Sequence, residues 1–390
     1  MKIMKIIIIG GDGFVGWPLA LRLSNKNYEI LILDNLSRRK IDTELKSNSL
    51  IQIKDINTRL STWKNISGNE ILFENIDVSL EYEKLCKIIE EFKPDTIIHL
   101  GEQRSAPYSM KNSSTKRYTV NNNLNATHNI LCAIVDVNKD IHLIHLGTMG
   151  VYGYGVVPDT IVPEGYIDVK IKNKYNKEIG VEILHPTYPG SIYHMTKSQD
   201  AIFFQFFCKN YKLKITDLHQ GIIWGAYTKE TIMHNDLSNR FDYDSDYGTV
   251  LNRFIIESAN NIPLTIYGTG FQTRAFINIE NSMDCIELAI NNPPNKGDKV
   301  KIFNQITETH KLIDLANLIK KIVPSSTIEF IENPRNELVE NSLEVSNNNF
   351  LDLGLKPIYL NEENIIDIYN FISKNNDIID NTKILPMSFW

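Results

Sequence analysis

The sequence predicts an α/β protein, with a doubly wound parallel sheet followed by a smaller mixed α/β lobe. In the first half of the 390 residues, short apolar runs alternate with helical stretches, as in strand–helix–strand units with right-handed crossovers. A glycine-rich loop at residues 10–16 directly follows the first apolar run, and beyond Trp224 the pattern becomes mixed. We therefore predict a first domain over residues 1–223 and a second lobe over 224–390, with some segments of the lobe returning to the first domain.

The predicted strands are short runs of Ile, Leu and Val, typical of strands that are buried on both faces. We expect strands at residues 6–9, 28–33, 71–73, 96–100, 141–146 and 214–218. We expect helices at residues 17–23, 85–92, 123–135, 192 to about 208, 247–259, 282–290 and 311–322. Residues 154–190 are rich in Gly, Pro and Lys and interrupt the alternation, which predicts a long loop or a small hairpin inserted in the first domain.

Charge and cysteine usage limit the class of protein. A formal net charge of -6 and a pI of about 5.9 argue against binding to nucleic acid or to an anionic membrane. Cys86, Cys132, Cys208 and Cys285 form no Cys-x-x-Cys pair, so we expect reduced thiols and neither a disulfide framework nor a metal site. The apolar start contains Lys5 and is too short for a signal peptide, and no stretch approaches the length of a membrane span. We expect a soluble, cytoplasmic, unprocessed protein.

The glycine-rich loop predicts a Rossmann-type dinucleotide site. Residues 10–16 can be read as Gly-x-x-Gly-x-x-Gly or, from residue 11, as Gly-x-Gly-x-x-Gly, and both patterns let a pyrophosphate approach the backbone at a helix N-terminus. Asp34 ends the second strand, where a carboxylate can accept hydrogen bonds from the adenosine ribose. It would repel a 2′-phosphate, so we expect NAD and not NADP, although Arg38 and Arg39 could accept that phosphate. Residues 77–78 are placed for the adenine edge.

Tyr193 and Lys197 predict an acid–base pair. They stand at positions i and i+4 of a predicted helix, so the ammonium lies beside the phenol ring. A free phenol has a pKa near ~10, and a neighbouring cation favours the phenolate, which could take a proton from an alcohol while a dinucleotide takes the hydride. On spacing alone, an ordinary surface pair remains the alternative. Thr148 follows the strand at 141–146, at the edge where parallel sheets bind ligands, and its alternative is a simple loop hydroxyl.

Together, Thr148, Tyr193 and Lys197 resemble the triad of the extended short-chain dehydrogenase/reductase family, whose NAD-dependent epimerases and dehydratases act on nucleotide sugars. Its 4,6-dehydratases carry Asp-Glu after the threonine, whereas this chain has Met149-Gly150. That difference, with the runs at residues 101–110, 304–305 and 333–335, resembles a branch of the family that joins sulfite to UDP-glucose. The resemblance continues at 239–254 and 386–390 and covers nearly the whole chain. It departs at Val151, where plant members are expected to have glutamate, and this leaves the role of that residue open.

The resemblance implies roles for particular residues of this chain. The catalytic residues would be Thr148, Tyr193, Lys197 and His194, and His194 has a capping or packing role as its alternative. The NAD site would consist of Gly10, Gly13, Phe14, Val15, Gly16, Asp34, Asn35, Arg38, Arg39, Asp77, Val78, Leu100, Gly101, Asn122, Tyr193 and Lys197, with Asn123 as the alternative to Asn122 in register. The substrate would contact Arg104, Thr148, Gln220, Thr249, Arg274 and Arg335.

The resemblance also implies UDP-glucose and sulfite as substrates and a homodimer formed through helices at residues 123–135 and 192–208. His194 would move protons at C5 and C6 on pKa grounds, since a free histidine titrates near ~6.5. Two alternatives stay within the same fold, a UDP-glucose 4-epimerase and a nucleotide-sugar 4,6-dehydratase. A non-catalytic dinucleotide sensor is the alternative of a different class, and such proteins commonly lose the tyrosine or lysine.

Overall fold

The structure, a computed structural model, describes residues 3–153, 160–339, 341–374 and 379–390. Its strands are β1 (Lys5–Ile9), β2 (Glu29–Asp34), β3 (Ile71–Asn75), β4 (Thr96–His99), β5 (His142–Leu146), β6 (Ile161–Val162), β7 (Tyr166–Lys172), β8 (Glu178–Leu184), β9 (Lys214–Gln220), β10 (Ile222–Trp224), β11 (Leu264–Tyr267), β12 (Thr273–Asn278), β13 (Lys301–Gln305), β14 (Glu308–Lys311), β15 (Ile328–Ile331) and β16 (Glu344–Val345). Its helices are α1 (Gly16–Asn25), α2 (Ser37–Leu45), α3 (Ile56–Ser67), α4 (Tyr82–Phe92), α5 (Ala106–Met110), α6 (Ser113–Val137), α7 (Ile192–Tyr211), α8 (Val250–Ala259), α9 (Ile279–Asn291), α10 (Leu312–Ile322), α11 (Asn348–Asp352) and α12 (Glu362–Ser373).

The large sheet is parallel throughout. In the described residues it has seven strands in the order β13-β9-β5-β4-β1-β2-β3. One core packs α1 and α9 against one face, with Trp17 and Met283 fully buried, and a second core packs α4, α6 and α7 against the other. Burial on both faces explains the continuous apolar strands, and it leaves the carboxyl ends of the strands as the edge where loops converge.

The smaller lobe has a core of its own. A three-stranded sheet, β10-β12-β14, and a pair, β11-β15, lie beside helices α8, α10 and α12. Phe254 and Leu315 are fully buried in this third core. The α/β class with a parallel sheet and a smaller mixed lobe is therefore confirmed.

The predicted elements are present, and the differences have local causes. The helix expected at residues 123–135 begins earlier, at Ser113, because Asn112 and Thr115 form a reciprocal capping box. Helices α2, α3, α5, α11 and α12 were not predicted. The inserted segment contains an antiparallel hairpin, β7–β8, while its residues 154–159 lie outside the described residues. Strand β13 pairs with β9 in the large sheet, so the lobe sequence returns to it, and the division at residues 223 and 224 stays a prediction.

Among the described residues, none of the helices combines the length and the apolar composition that crossing a membrane requires. The same residues contain four free cysteines.

Candidate active site

A deep cleft opens at the carboxyl ends of the parallel strands. Loops after β1, β2, β4 and β5, the start of α7 and several loops of the smaller lobe line it. Every residue that the sequence analysis placed at the site lines this cleft except Arg39. The fold thus brings these residues together, while their individual ligand contacts stay predictions.

The loop between β1 and α1 has no room for side chains at its closest points. Gly10 has a φ of +84°, and a Cβ there would lie 2.7 Å from the backbone nitrogen of Gly101. A Cβ on Gly16 would overlap the carbonyl oxygen of Gly10. Phe14 and Val15 line the cleft beside these glycines. The bare backbone at the start of α1 therefore fits a pyrophosphate.

Asp34 lies at the end of β2, where the sequence predicts a ribose contact. Its carboxylate oxygens accept hydrogen bonds from the backbone nitrogens of Asp12 (2.9 Å) and Leu36 (2.7 Å). Burial and the neighbouring Asp12 carboxylate raise the pKa of Asp34 to about 6. Next to it, the Asn35 side chain donates to Asp77 at 2.8 Å, which fixes the rim of the predicted adenine end.

Neither arginine after β2 is free for a 2′-phosphate. Arg38 lines the cleft, but it pairs with Asp242 at 3.1 Å and its guanidinium lies 3.7 Å from the ring centroid of Tyr247. Arg39 does not reach the cleft, because it makes two hydrogen bonds to Asp12, at 2.6 and 2.9 Å. Arg39 does not line the cleft, and its predicted contact with the cofactor stays a prediction.

Asn122 and Asn123 were the two alternatives for the wall that faces the glycine loop, and their positions in the structure differ. Asn122 lines the cleft with Leu100 and Gly101. Asn123 is fully buried and turned away, with its side chain bonded to the backbone of Gln103. The position favours Asn122.

Thr148, Tyr193 and Lys197 meet where β5 ends against α7. The Thr148 hydroxyl caps the turn after β5 by accepting from the Gly150 nitrogen at 3.1 Å and also hydrogen-bonds to Tyr193. Lys197 Nζ donates to the Leu146 carbonyl at 2.6 Å. Burial raises the pKa of Tyr193 above its usual value, against the opposing effects of Lys197 and Thr148. The protein groups alone therefore do not produce the expected lowering of the Tyr193 pKa, because the effect of burial outweighs that of the Lys197 ammonium.

Behind Lys197 lies a charged group that the sequence analysis did not identify as functional. Glu102 Oε2 is 3.0 Å from Lys197 Nζ, and the Glu102 side chain is 2 % exposed. His145 Nε2 lies 3.1 Å from Glu102 Oε1. Glu102 belongs to the run at 101–110 that carried the family resemblance, whereas nothing in the local sequence marks His145.

His194 lies at the cleft wall, packed against Gly150, where any Cβ would overlap its imidazole ring. Burial, with the guanidinium groups of Arg335 and Arg274, lowers the pKa of His194 to about 3. The expectation that His194 titrates near neutrality is therefore wrong, because burial and two cations lower the pKa of its ring.

The other end of the cleft carries the predicted substrate residues. Arg274 pairs with Glu337, and the Arg335 guanidinium lies 5.8 Å from the ring centroid of Trp390. Arg104 is partly exposed and pairs with Asp242 at 2.6 Å, the carboxylate that Arg38 also contacts, so Arg104 lies on the Arg38 side of the cleft.

Two polar groups without charge complete that end. Gln220 donates to Ser282 Oγ at 2.8 Å. The Thr249 hydroxyl is buried and has no hydrogen-bond partner among the described residues, so it is available to bond a ligand.

Arg253, Tyr247 and Trp390 also line the cleft and were missed as site residues. Arg253 donates to the carbonyl of Thr265 at 2.7 Å. All three lie in runs that carried the family resemblance, so a signal existed, but residue type and spacing gave no reason to select them.

Comparisons with known proteins agree with this geometry. The sequence profile of the NAD dependent epimerase/dehydratase family matches residues 6–304. The chain is 39 % identical to the chloroplastic UDP-sulfoquinovose synthase of Spinacia oleracea, over 99 % of this chain and 79 % of that protein. It is 37 % identical to the UDP-sulfoquinovose synthase of Sulfolobus acidocaldarius, over 91 % of this chain and 88 % of that protein.

A solved structure of UDP-glucose 4-epimerase from Thermotoga maritima, with UDP-glucose, superposes with a TM-score of 0.70. The match covers 95 % of this chain and 99 % of that one at 20 % identity, so it supports the fold alone.

Proposed function

The chain belongs to the NAD-dependent epimerase/dehydratase family, and on that premise we propose that it converts UDP-glucose and sulfite to UDP-6-sulfoquinovose. The full-length similarity to two UDP-sulfoquinovose synthases carries this proposal. The cleft supports it, because Thr148 is followed by Met149 and Gly150 in place of the acid and base that a 4,6-dehydratase uses.

The cleft fits the dinucleotide that the family uses. Gly10, Gly13 and Gly16 would hold the pyrophosphate and Asp34 the adenosine ribose, with Asn122 at the opposite wall. Bound there, NAD would accept hydride from C4 of the sugar and return it at the end of the cycle. NAD and not NADP is expected, since Asp34 would repel a 2′-phosphate and Arg38 and Arg39 are already paired.

Tyr193 would take the proton of the C4 hydroxyl. Thr148 would orient the phenol through their hydrogen bond, and the Lys197 ammonium would stabilise the phenolate. A ketone at C4 makes the C5 proton acidic, so that the C6 hydroxyl can leave as water. Sulfite then adds to C6 of the unsaturated ketone, C5 regains a proton and C4 is reduced again, with no net redox change.

His194 would serve as the base for the C5 proton in its neutral form. Its pKa is low because of burial and because Arg335 and Arg274 face it. A diphosphate or sulfite bound to these arginines would offset their charge and raise the basicity of the imidazole.

The proposal is tested by incubating the purified protein with UDP-glucose, with and without sulfite, and weighing the nucleotide-sugar product. A product that gains the mass of sulfonation only with sulfite is expected. A UDP-galactose product of unchanged mass would instead identify an epimerase, and a product lighter by one water without sulfite would identify a 4,6-dehydratase. Bound NAD without any product would identify a sensor.

We also propose a homodimer formed through α6 and α7. These helices contact one another, and their outer face exposes Ile202 and Phe206, which are 62 % and 53 % exposed. Light scattering should give a dimer mass that Phe206→Glu reduces to that of a monomer. A cytoplasmic location stays part of the proposal, and fractionation of the source cells would test it.

A further inference from the structure

A row of buried ionisable groups begins beside Lys197 Nζ, which lies 3.0 Å from both Glu102 Oε2 and His145 Nε2. We call Glu102, His145, Asp200, Asp217 and His219 the back cluster. His145 Nδ1 is 2.8 Å from Asp217 Oδ1, and Asp217 Oδ2 is 3.0 Å from His219 Nε2. The side chains of all five residues are at most 3 % exposed. Such groups are costly to bury, so their arrangement calls for a reason.

The fold places the back cluster by strand register. His145 on β5 pairs directly with Asp217 on β9, and Glu102 follows β4 on the other side of β5. Gly147 keeps space for them, because a Cβ there would lie 2.6 Å from Asp217 Oδ1. Three neighbouring strands and α7 therefore deliver these groups to one point beside Lys197.

The charges of the back cluster alternate. Burial opposes ionisation of Glu102, but Lys197 and His145 hold its pKa well below the usual range. Burial and Lys197 also act against a charged His145, yet the carboxylates of Asp217 and Glu102 raise its pKa to about 9. Basic and acidic side chains therefore alternate along the row, in the order Lys197, Glu102, His145 and Asp217.

Two further titratable neighbours of His145, Asp200 and His99, add no charge to this row. Burial and Glu102 raise the pKa of Asp200 well above its usual range, so that Asp200 is a neutral acid. Burial lowers the pKa of His99 to about 4, so its ring, 5.6 Å from that of His145, is neutral. The charged and titratable groups that face His145 are thus Glu102, Lys197, Asp200, Asp217 and His99, with His219 beyond Asp217.

We propose that Glu102 and His145 are positioning residues, which hold the Lys197 ammonium beside Tyr193 and balance its charge. The proposal rests on the proposed function for its catalytic consequence, but the electrostatic effect on Tyr193 is a property of the protein alone. Glu102 and Lys197 have opposite effects on the pKa of Tyr193. The negative charge of Glu102 disfavours the phenolate and raises this pKa, whereas Lys197 lowers it. A protonated His145 offsets part of the Glu102 charge. The Lys197 ammonium can then lower the pKa of Tyr193 more effectively.

A metal ion is the other occupant to consider. Glu102, His145 and Asp200 offer ligand atoms within 4.8 Å of one another, the one such group among the described residues. Lys197 Nζ, however, lies 3.0 Å from both Glu102 Oε2 and His145 Nε2. The ammonium of the chain itself therefore takes the place of a cation between these ligands.

Two single variants should move the basicity of Tyr193 in opposite directions. Glu102→Gln removes a negative charge and should lower the pKa of Tyr193 by about one pH unit, whereas His145→Gln removes a positive charge and should raise it by a similar amount. The double variant should return towards the wild type. The matched control is His142→Gln, on the same strand, where a buried neutral histidine hydrogen-bonds to Thr216 at 2.8 Å.

The first readout needs neither cofactor nor substrate. The tyrosinate absorbance of each variant is titrated against the same variant carrying Tyr193→Phe, and the difference reports Tyr193 alone. The second readout is the acid limb of the pH profile of kcat/KM, which should shift in the same direction in each case. If the wild type makes no sulfonated product while the absorbance shifts stand, the proposed function fails and the positioning role survives.

Shifts in the same direction for both single variants, no shift in either, or an equal shift in His142→Gln would overturn the proposal. A purely structural role would lower stability and kcat without opposite shifts. If Glu102→Gln does not fold, Glu102→Asp takes its place, because the shorter side chain withdraws the charge from Lys197. A smaller shift in the direction expected for Glu102→Gln supports the proposal, and an unchanged profile with unchanged kcat contradicts it.

Discussion

The two ends of the cleft are built by different means. The dinucleotide end consists largely of backbone, in which Gly10 and Gly16 leave no room for a Cβ and Asp34 is fixed by two backbone N–H groups. The sugar end consists of long cationic side chains, Arg274 and Arg335, which come from distant segments of the smaller lobe. Ligand binding should therefore depend on the shape of the backbone at the dinucleotide end and on positive charge at the sugar end.

This difference indicates how each end can fail. Added volume should damage the dinucleotide end, and lost charge should damage the sugar end, with little effect of either change on the opposite end. Variants that affect one ligand only would sharpen the comparison, and variants that affect both would break it.

Tyr193→Phe, at the junction of the two ends, should have the largest effect. Loss of the phenol removes the proton acceptor, so kcat should fall by about a thousandfold, within the range for acid–base groups. Binding of NAD and of UDP-glucose should change little, because the ring remains. Turnover and calorimetric titration with each ligand measure the two effects, and an unchanged product yield would exclude Tyr193 as the acid–base group.

Gly16→Ala tests the dinucleotide end. The added Cβ would overlap the Gly10 carbonyl oxygen, so the loop must shift and NAD affinity should fall on the order of a hundredfold. UDP affinity should stay within twofold of the wild type. Gly180→Ala is the matched control, since a Cβ there meets nothing within 4 Å. Equal losses in the two variants would contradict the role of shape.

Arg335→Gln tests the sugar end. Loss of one charge-assisted contact to the diphosphate should raise KM for UDP-glucose roughly thirtyfold and leave NAD affinity unchanged. The same substitution at Arg117, an exposed arginine outside the cleft, is the control. The effect should weaken at high salt, and a KM equal to that of the control would remove Arg335 from the substrate site.

The smallest effect should come from pH at Asp34. Burial and the Asp12 carboxylate raise its pKa to about 6, so the carboxylate that would accept from the ribose is lost as pH falls below 6. NAD affinity should then decrease by up to about tenfold per pH unit, and Asp34→Asn should bind more weakly but without this dependence. Parallel curves for the two proteins would show that Asp34 does not contact the ribose.

The dinucleotide end could be predicted because its signals are local. The glycines, Asp34 and the Tyr193–Lys197 pair are set by spacing within one strand, loop or helix, and the fold places them as expected. The orientation of Arg39 could not be predicted, because α2 was not recognised and only its direction decides that Arg39 reaches Asp12.

Long-range pairings account for the other failures. The raised pKa of His145 depends on Asp217, its register partner on another strand, and the lowered pKa of His194 depends on burial and on arginines from the distant lobe. No spacing within a local segment contains this information. The family resemblance pointed to the right runs, yet it could not give the distances that determine these pKa values.

The pairing of β13 with β9 has a consequence for synthesis of the chain. Residues 301–305 supply the outer edge of the large sheet, although their partner strand ends at Gln220. Until the ribosome has synthesised β13, one edge of β9 exposes unpaired N–H and C=O groups. These groups can pair with another nascent chain. We expect chaperones to bind at this stage, and a fragment that ends near residue 223 to aggregate when it is made alone.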